Sequence, residues 1–536
     1  MNCDLLIKNG FIIDGTGNLG FYGDLAIDEG KIIEVSGKIE YEAARVIDAV
    51  GLTVCPGFID PHVHAELTAL TSGKFEEFLR QGVTTTINGN CGHSITPYSS
   101  ENIYEYMAQK GLISRQTKEK NILSVPAWAN FAGYINVLKK KGTNINMAFL
   151  LGHGTLRWSI MGGSINRKPT VEEEQKLGHL IEEGLEQGAL GISTGLTYSP
   201  SKFADTEELI NISNVAKKYD AIYTSHIRSY RGILEAVREA IRIGEETGIR
   251  VQVSHLTPSC PEAFDEILLA RERGLEIAVD TIPKSSGHFN RRDKLLQFIV
   301  SSSSKLFDLD MKGSPEAFNT PEGRKKFINK IRFRDNLLLI NTADPQMEHR
   351  TLKDIAYERK VEVDELILNL LESDRNQLTF CRGGLNRSDF PGKPYADNIA
   401  NNPFVMVGSD VVYGEIDDPY AWYEVFRKGA FPIFMDLCRQ KGVSLEEIIR
   451  RITSLPAEHF RLSERGLLSK GKAADVTIID MEHYHYPSNE EIDYKNPLTM
   501  ASGVKYTIVN GKIVIDDGKL EEINAGQLLS SYGRKL

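Results

Sequence analysis

Pro56-Gly57-Phe58-Ile59-Asp60-Pro61-His62-Val63-His64 ends a short apolar run in two histidines one residue apart. In a strand, residues i and i+2 project from one face, so both imidazoles can reach a single ion. The pair by itself is equally the polar trim of a strand end, and the rest of the chain decides between the two readings.

Upstream of it, residues 1–56 read as short β-rich runs separated by the turn punctuation Asp14-Gly15 and Glu29-Gly30. This is too little β structure to close a core alone. The same texture returns around 474–480 and 506–515. The two ends are therefore expected to pair into one small β-sandwich, made of 1–56 and 459–536, with everything between inserted into it.

Downstream, 57–458 changes to short apolar runs alternating with helical stretches, the rhythm of an α/β fold with parallel strands. Eight strands are expected near 57–60, 83–87, 147–151, 189–193, 221–224, 250–254, 275–280 and 404–408, with helices at 170–187, 206–219, 233–247 and 260–273 among the connections. Eight such units predict a (β/α)8 TIM barrel, whose active site lies at the C-terminal strand ends. Two connections are longer than the rhythm needs. One, 95–146, carries Trp128, Phe131 and Tyr134, read as packing aromatics. The other, 283–403, holds the inserted subdomain at about 284–345, with a serine run at 301–304, a basic stretch at 324–334 and a single helix at 352–371 beyond it.

The residues closing the expected strands are chemically uniform. Strand one gives His62 and His64, strand two Cys91, strand five His226, strand six His255 and strand eight Asp410. Imidazole, thiolate and carboxylate are the donors that suit zinc, and a barrel would bring them together from across the chain. Each has a bland alternative, as a buried cysteine, a satisfied core histidine or a helix cap. Six such accidents, all at C-terminal strand ends, are less economical than one metal site.

Composition narrows the partners. The chain has 536 residues, more than one core usually serves, with 41% hydrophobic and 25% charged residues. A net charge of -10 argues against nucleic acid or an anionic membrane as partner and leaves a small molecule. Six scattered cysteines without CxxC pairs, and an N-terminal run lacking a signal-peptide core, are expected of a cytoplasmic protein. No apolar run is long enough for a membrane span. Association into homo-oligomers stays open.

The run 57–64, the order His-x-His, Cys, His, His, Asp and the split β module resemble the amidohydrolase superfamily. Within it, Gly89-Asn90-Cys91-Gly92, Gly152-His153-Gly154-Thr155-Leu156-Arg157, Gly191-Ile192-Ser193-Thr194-Gly195-Leu196-Thr197-Tyr198, His226-Ile227-Arg228-Ser229, Val407-Gly408-Ser409-Asp410 and Thr453-Ser454-Leu455-Pro456-Ala457-Glu458 make the whole chain similar to the D-aminoacylase, or N-acyl-D-amino-acid deacylase, family. The resemblance implies hydrolysis of a linear amide, with Cys91, His226 and His255 holding a tight zinc and His62, His64 and Asp410 a second, weaker position. It also implies that Cys91 takes the bridging part that a strand-four lysine plays in other relatives. Asp410 would accept the proton of the attacking water and pass it to the leaving nitrogen. His153 and Tyr198 are candidate donors to the oxyanion.

The chain departs from that family where a substrate carboxylate is usually met. His255 is followed by Leu256-Thr257-Pro258 instead of histidine and lysine, strand seven ends Asp280-Thr281-Ile282-Pro283-Lys284, and Asp417-Asp418-Pro419-Tyr420-Ala421-Trp422 replaces a His-Pro-Arg segment. Replacement cations are Arg228, Arg231, Arg291, Arg292 and Arg382, with Arg228 foremost because it lies two residues from His226. Trp422 and Tyr423 could instead shape an aromatic pocket. The alternatives are a cyclic-amide hydrolase, which the missing strand-four lysine disfavours, and a non-catalytic scaffold of the same fold.

Overall fold

The computed structural model describes residues 2–70, 72–96, 128–258, 260–283, 289–290, 338–341, 344–347, 350–373, 380–382, 393–412, 428–487 and 499–530. The serine and basic runs of the long connection, Arg291, Arg292, Trp422 and Tyr423 lie outside them.

The chain is α/β, with parallel strands following one another in sequence order and a separate β module. Phe58–Asp60, Val83–Asn88 and Asn146–Phe149 form one parallel set. Leu151–Gly152, Gly191–Gly195, Ile222–His226, Arg250–Val253, Ile277–Thr281 and Val405–Val407 form the next, and Val411–Val412 pairs in parallel with Val63–His64. Main-chain hydrogen bonds cross both seams, from Leu190 N–H to Phe149 O at 2.9 Å and from Asp410 N–H to His62 O at 2.8 Å. Strands buried on both faces explain the apolar runs: Ile192, Val251, Val253, Val279, Val405 and Val407 are each fully inside.

The covering helices follow from their sequences. Val171–Glu186 starts in a capping box between Thr170 and Glu173, and Thr206–Lys217 starts on the Asp205 side chain. Ile233–Thr247 buries Ala236, Val237, Ala240, Ile241, Ile243 and Gly244, a 3.6-residue stripe, and ends on Gly248 in the left-handed region. The aromatics of the first long connection pack as read, with Tyr134 and Phe131 in the core and Trp128 donating to Ile95 O at 2.8 Å.

The two chain ends meet in a nine-stranded sheet, where Val476–Ile479 pairs antiparallel with Thr53–Pro56. Hydrogen bonding runs through this module as one continuous sheet, enclosing a core of Leu5, Ile7, Leu25, Ile27, Val54, Val476 and Ile508. Its first strand, Asn2–Ile12, runs unbroken through Asn9, whose φ of +61° absorbs a shift in register between Ile7 and Gly10.

Within the long connection, Phe289–Asn290, Phe380–Arg382 and Leu338–Asn341 form a three-stranded antiparallel sheet. The single helix expected at 352–371 is instead two, Leu352–Arg359 and Val363–Ser373. Lys360 between them takes φ +54°, which ends the first helix, and Val361 N–H closes on Ala356 O.

Candidate metal centre

The loop carrying Cys91 is set by its neighbours. After Val83–Asn88 the chain turns back on itself with Cys91 at φ +53°, and Asn90 ties the turn to Ile87 O (2.9 Å) and Pro61 O (3.3 Å). Ser193 of the strand Gly191–Gly195 reaches across, donating to Gly89 O and accepting Gly92 N–H at 3.0 Å. Glycine lets the segments touch: a Cβ on Gly195 would lie 2.1 Å from Cys91 O, and one on Gly152 would lie 2.6 Å from Gly92 O. Three motifs far apart in sequence thus pack backbone to backbone around one thiol.

Six donors converge at this point. Cys91 Sγ is 3.3 Å from His62 Nε2, 3.3 Å from His255 Nε2 and 3.6 Å from His226 Nδ1. Asp410 Oδ1 lies 3.3 Å from His64 Nε2 and 3.5 Å from His62 Nε2. Their candidate ligand atoms fall into three overlapping sets, each within 4.8 Å: His62 with His64 and Cys91, Cys91 with His226 and His255, and His62 with His255 and Asp410. Cys91, His255 and Asp410 all sit at positive φ, of +53°, +35° and +51°. Such backbone costs of order 1–3 kcal/mol per residue and persists where surrounding structure enforces it.

The electrostatics suit a cation. Burial opposes a charge on Cys91, yet the adjacent His62, His255 and His226 hold its thiol well below the ordinary cysteine value. Burial pushes Asp60 up to about 7, against the N–H groups of Ser409 (3.2 Å) and His62 (3.1 Å) that it accepts. Thr197 Oγ1 is 2.7 Å from His226 Nε2, which leaves Nδ1 for the cysteine side.

The other expected residues fall less evenly. Tyr198 is half-buried, its ring 4.6 Å from that of His226 and 5.1 Å from that of His93. His153 is corrected from oxyanion donor to scaffold: it is fully buried, with Nδ1 3.0 Å from Ser201 Oγ and Nε2 3.0 Å from Glu208 Oε1. Arg228 is corrected likewise. Its guanidinium is buried and spent on Glu239 (3.0 Å), Lys202 O (2.9 Å) and Ala204 O (2.9 Å), so its charge is already neutralised. Sequence reasoning gave no role to Asp280 and Thr197, which touch the donors, or to Ser193, which holds the backbone on either side of Cys91. Only Asp280 carried a signal, as a carboxylate closing a parallel strand.

Comparison with known proteins places the chain in a family. The profile of the amidohydrolase family matches residues 45–252 and 397–515, more than half of the chain. The N-acyl-D-aspartate deacylase of Alcaligenes xylosoxydans xylosoxydans is 27% identical across 98% of this chain and 95% of its own. The N-acyl-D-glutamate deacylase of Bordetella bronchiseptica, solved with zinc and a phosphonate mimic of the tetrahedral intermediate, superposes with a TM-score of 0.71 at 27% identity, covering 99% of this chain and 100% of that one. A crystal structure of D-aminoacylase gives 0.72 at 25% identity over 98% and 100%. With that profile matching more than half of its length, the chain belongs to the amidohydrolase family.

Proposed function

We propose that this chain is a zinc-dependent amidohydrolase that cleaves a linear amide C–N bond in a small N-acyl compound, an N-acyl-D-amino acid first among them. The observation that carries the reading is the convergence of His62, His64, Cys91, His226, His255 and Asp410. Similarity to deacylases over nearly the whole chain supports it. The sequential parallel strands, with hydrogen bonds across both seams, support one closed (β/α)8 barrel spanning 57–458. On that reading, 1–56 and 459–536 make the accessory β module and about 284–345 an inserted subdomain. Among the described residues no helix is long and apolar enough to cross a membrane. Free Cys3, Cys55, Cys91, Cys260 and Cys438 support a reducing compartment such as the cytoplasm.

The donor set fits zinc, because a depressed thiol, imidazole nitrogens and a carboxylate are the ligand types that ion prefers. Cys91, His226 and His255 would hold one ion, and His62, His64 and Asp410 a second, weaker one. Zinc bound there supplies Lewis acidity and brings the pKa of water from about 16 to about 7. Asp410 takes the proton of the attacking water on its carboxylate and returns it to the leaving nitrogen as the C–N bond breaks. Tyr198 stands as the protein's candidate donor to the developing oxyanion. With Arg228 committed elsewhere, Arg231, exposed in the same loop, is a candidate for a substrate carboxylate.

The test is a hydrolysis panel of N-acyl-D- and N-acyl-L-amino acids before and after chelation and zinc return. Activity should follow zinc and favour the D series, and Asp410→Asn should lower it by about 10²–10⁴-fold. Cys91→Ala should cost more zinc and more activity than His64→Ala. Turnover indifferent to chelation, Cys91→Ala and Asp410→Asn would overturn the proposal.

A further inference from the structure

Asp280 ends the strand Ile277–Thr281 and is fully buried, yet it is not one of the six donors. Its Oδ2 accepts the backbone N–H of His255 at 2.9 Å and faces His62 Nδ1 at 3.3 Å. Its Oδ1 accepts Gln252 Nε2 at 2.7 Å. His62 Nδ1 makes no hydrogen bond among the described residues, and this carboxylate oxygen is the one it faces. Gly408 makes room for the contact, since a Cβ there would come 2.6 Å from Asp280 Oδ2 and 2.8 Å from His62 Cβ.

We propose that Asp280 is a positioning residue for the metal centre, orienting His62 and His255 together and so coupling the two ion positions. The inference rests on the metal reading above. An imidazole that offers Nε2 to an ion carries its proton on Nδ1, and a carboxylate there fixes the ring, its tautomer and its basicity. With Nδ1 turned to Asp280, His62 Nε2 points to Cys91 on one side and Asp410 on the other. The same oxygen holds the N–H of His255, whose backbone is in the left-handed region at φ +35°. One carboxylate thus acts on a donor from each proposed position.

Asp280→Asn separates charge from packing. Its amide oxygen can replace Oδ2 toward His255 and His62, and its NH2 can meet Gln252, whose Oε1 has no hydrogen-bond partner among the described residues and can turn inward. Asp280→Ala removes both functions. Zinc affinity is read by chelator competition, the fold by melting of the metal-free proteins, and the ligand field by the thiolate-to-metal absorption band after cobalt substitution. Asp280→Asn should melt with the wild type when metal-free, bind zinc about 10–100-fold more weakly and shift the cobalt band. Zinc bound equally tightly by wild type and both variants overturns the inference alone. Zinc affinity lost only in step with metal-free stability assigns Asp280 to packing and also overturns it. A wild-type protein that binds no zinc overturns the metal reading, and the inference falls with it.

Discussion

Gly195 has no spare room, because any Cβ would press on Cys91 O at 2.1 Å, backbone against which nothing flexible can yield. Gly195→Ala should therefore displace the Cys91 loop and lower zinc content severalfold. Metal analysis of purified protein checks this, and full zinc occupancy would show that the loop can shift at no loss. The convergence of six donors was legible in the sequence because donor type is written in the residue and strand ends meet at one side of a parallel sheet. Arg228 and His153 were not legible in the same way. Each is silenced by a carboxylate on a helix of the covering layer, Glu239 and Glu208, and no local pattern tells which buried acid will meet which base.

The helix Val171–Glu186 stands on a reciprocal cap, with Thr170 Oγ1 accepting Glu173 N–H at 3.2 Å and Glu173 accepting Thr170 N–H at 2.7 Å. Thr170→Ala should cost about 1 kcal/mol. The loss should appear as faster amide exchange in that first turn, with zinc content unchanged. Elements of this kind were readable to within a residue or two, since cap, apolar stripe and terminator agree: Ile233–Thr247 matches its expected bounds. Where one residue takes left-handed backbone without being glycine, the sequence gives no warning. Asn9 carries the strand Asn2–Ile12 through a shift in register, and Lys360 splits in two the helix expected at 352–371.

Across the whole molecule, His459 sits buried beneath the parallel strands, its Nε2 3.1 Å from Val251 O. Burial first, then Arg250, Arg271 and Arg461, hold it down to about 3. The unfolded chain therefore binds a proton near pH 6.5 that the folded one refuses. This contribution is complete above about pH 6.5 and is lost as pH falls from there toward about 3. Urea titrations across that window should show declining stability, and His459→Gln, which keeps a donor without titrating, should flatten the decline. The β texture at both ends was legible from alternation and turn residues. The order in which nine strands join was not, because pairing between remote strands depends on which faces the intervening chain leaves exposed.

That nine-stranded sheet also times the birth of the protein. Cys55 Sγ meets Thr477 O 422 residues later in the chain. At about 5–20 residues per second, the strand Thr53–Pro56 waits roughly 20–80 s on the ribosome before its partner Val476–Ile479 is made. Throughout that interval it presents an unpaired edge, open to chaperones and to neighbouring copies alike.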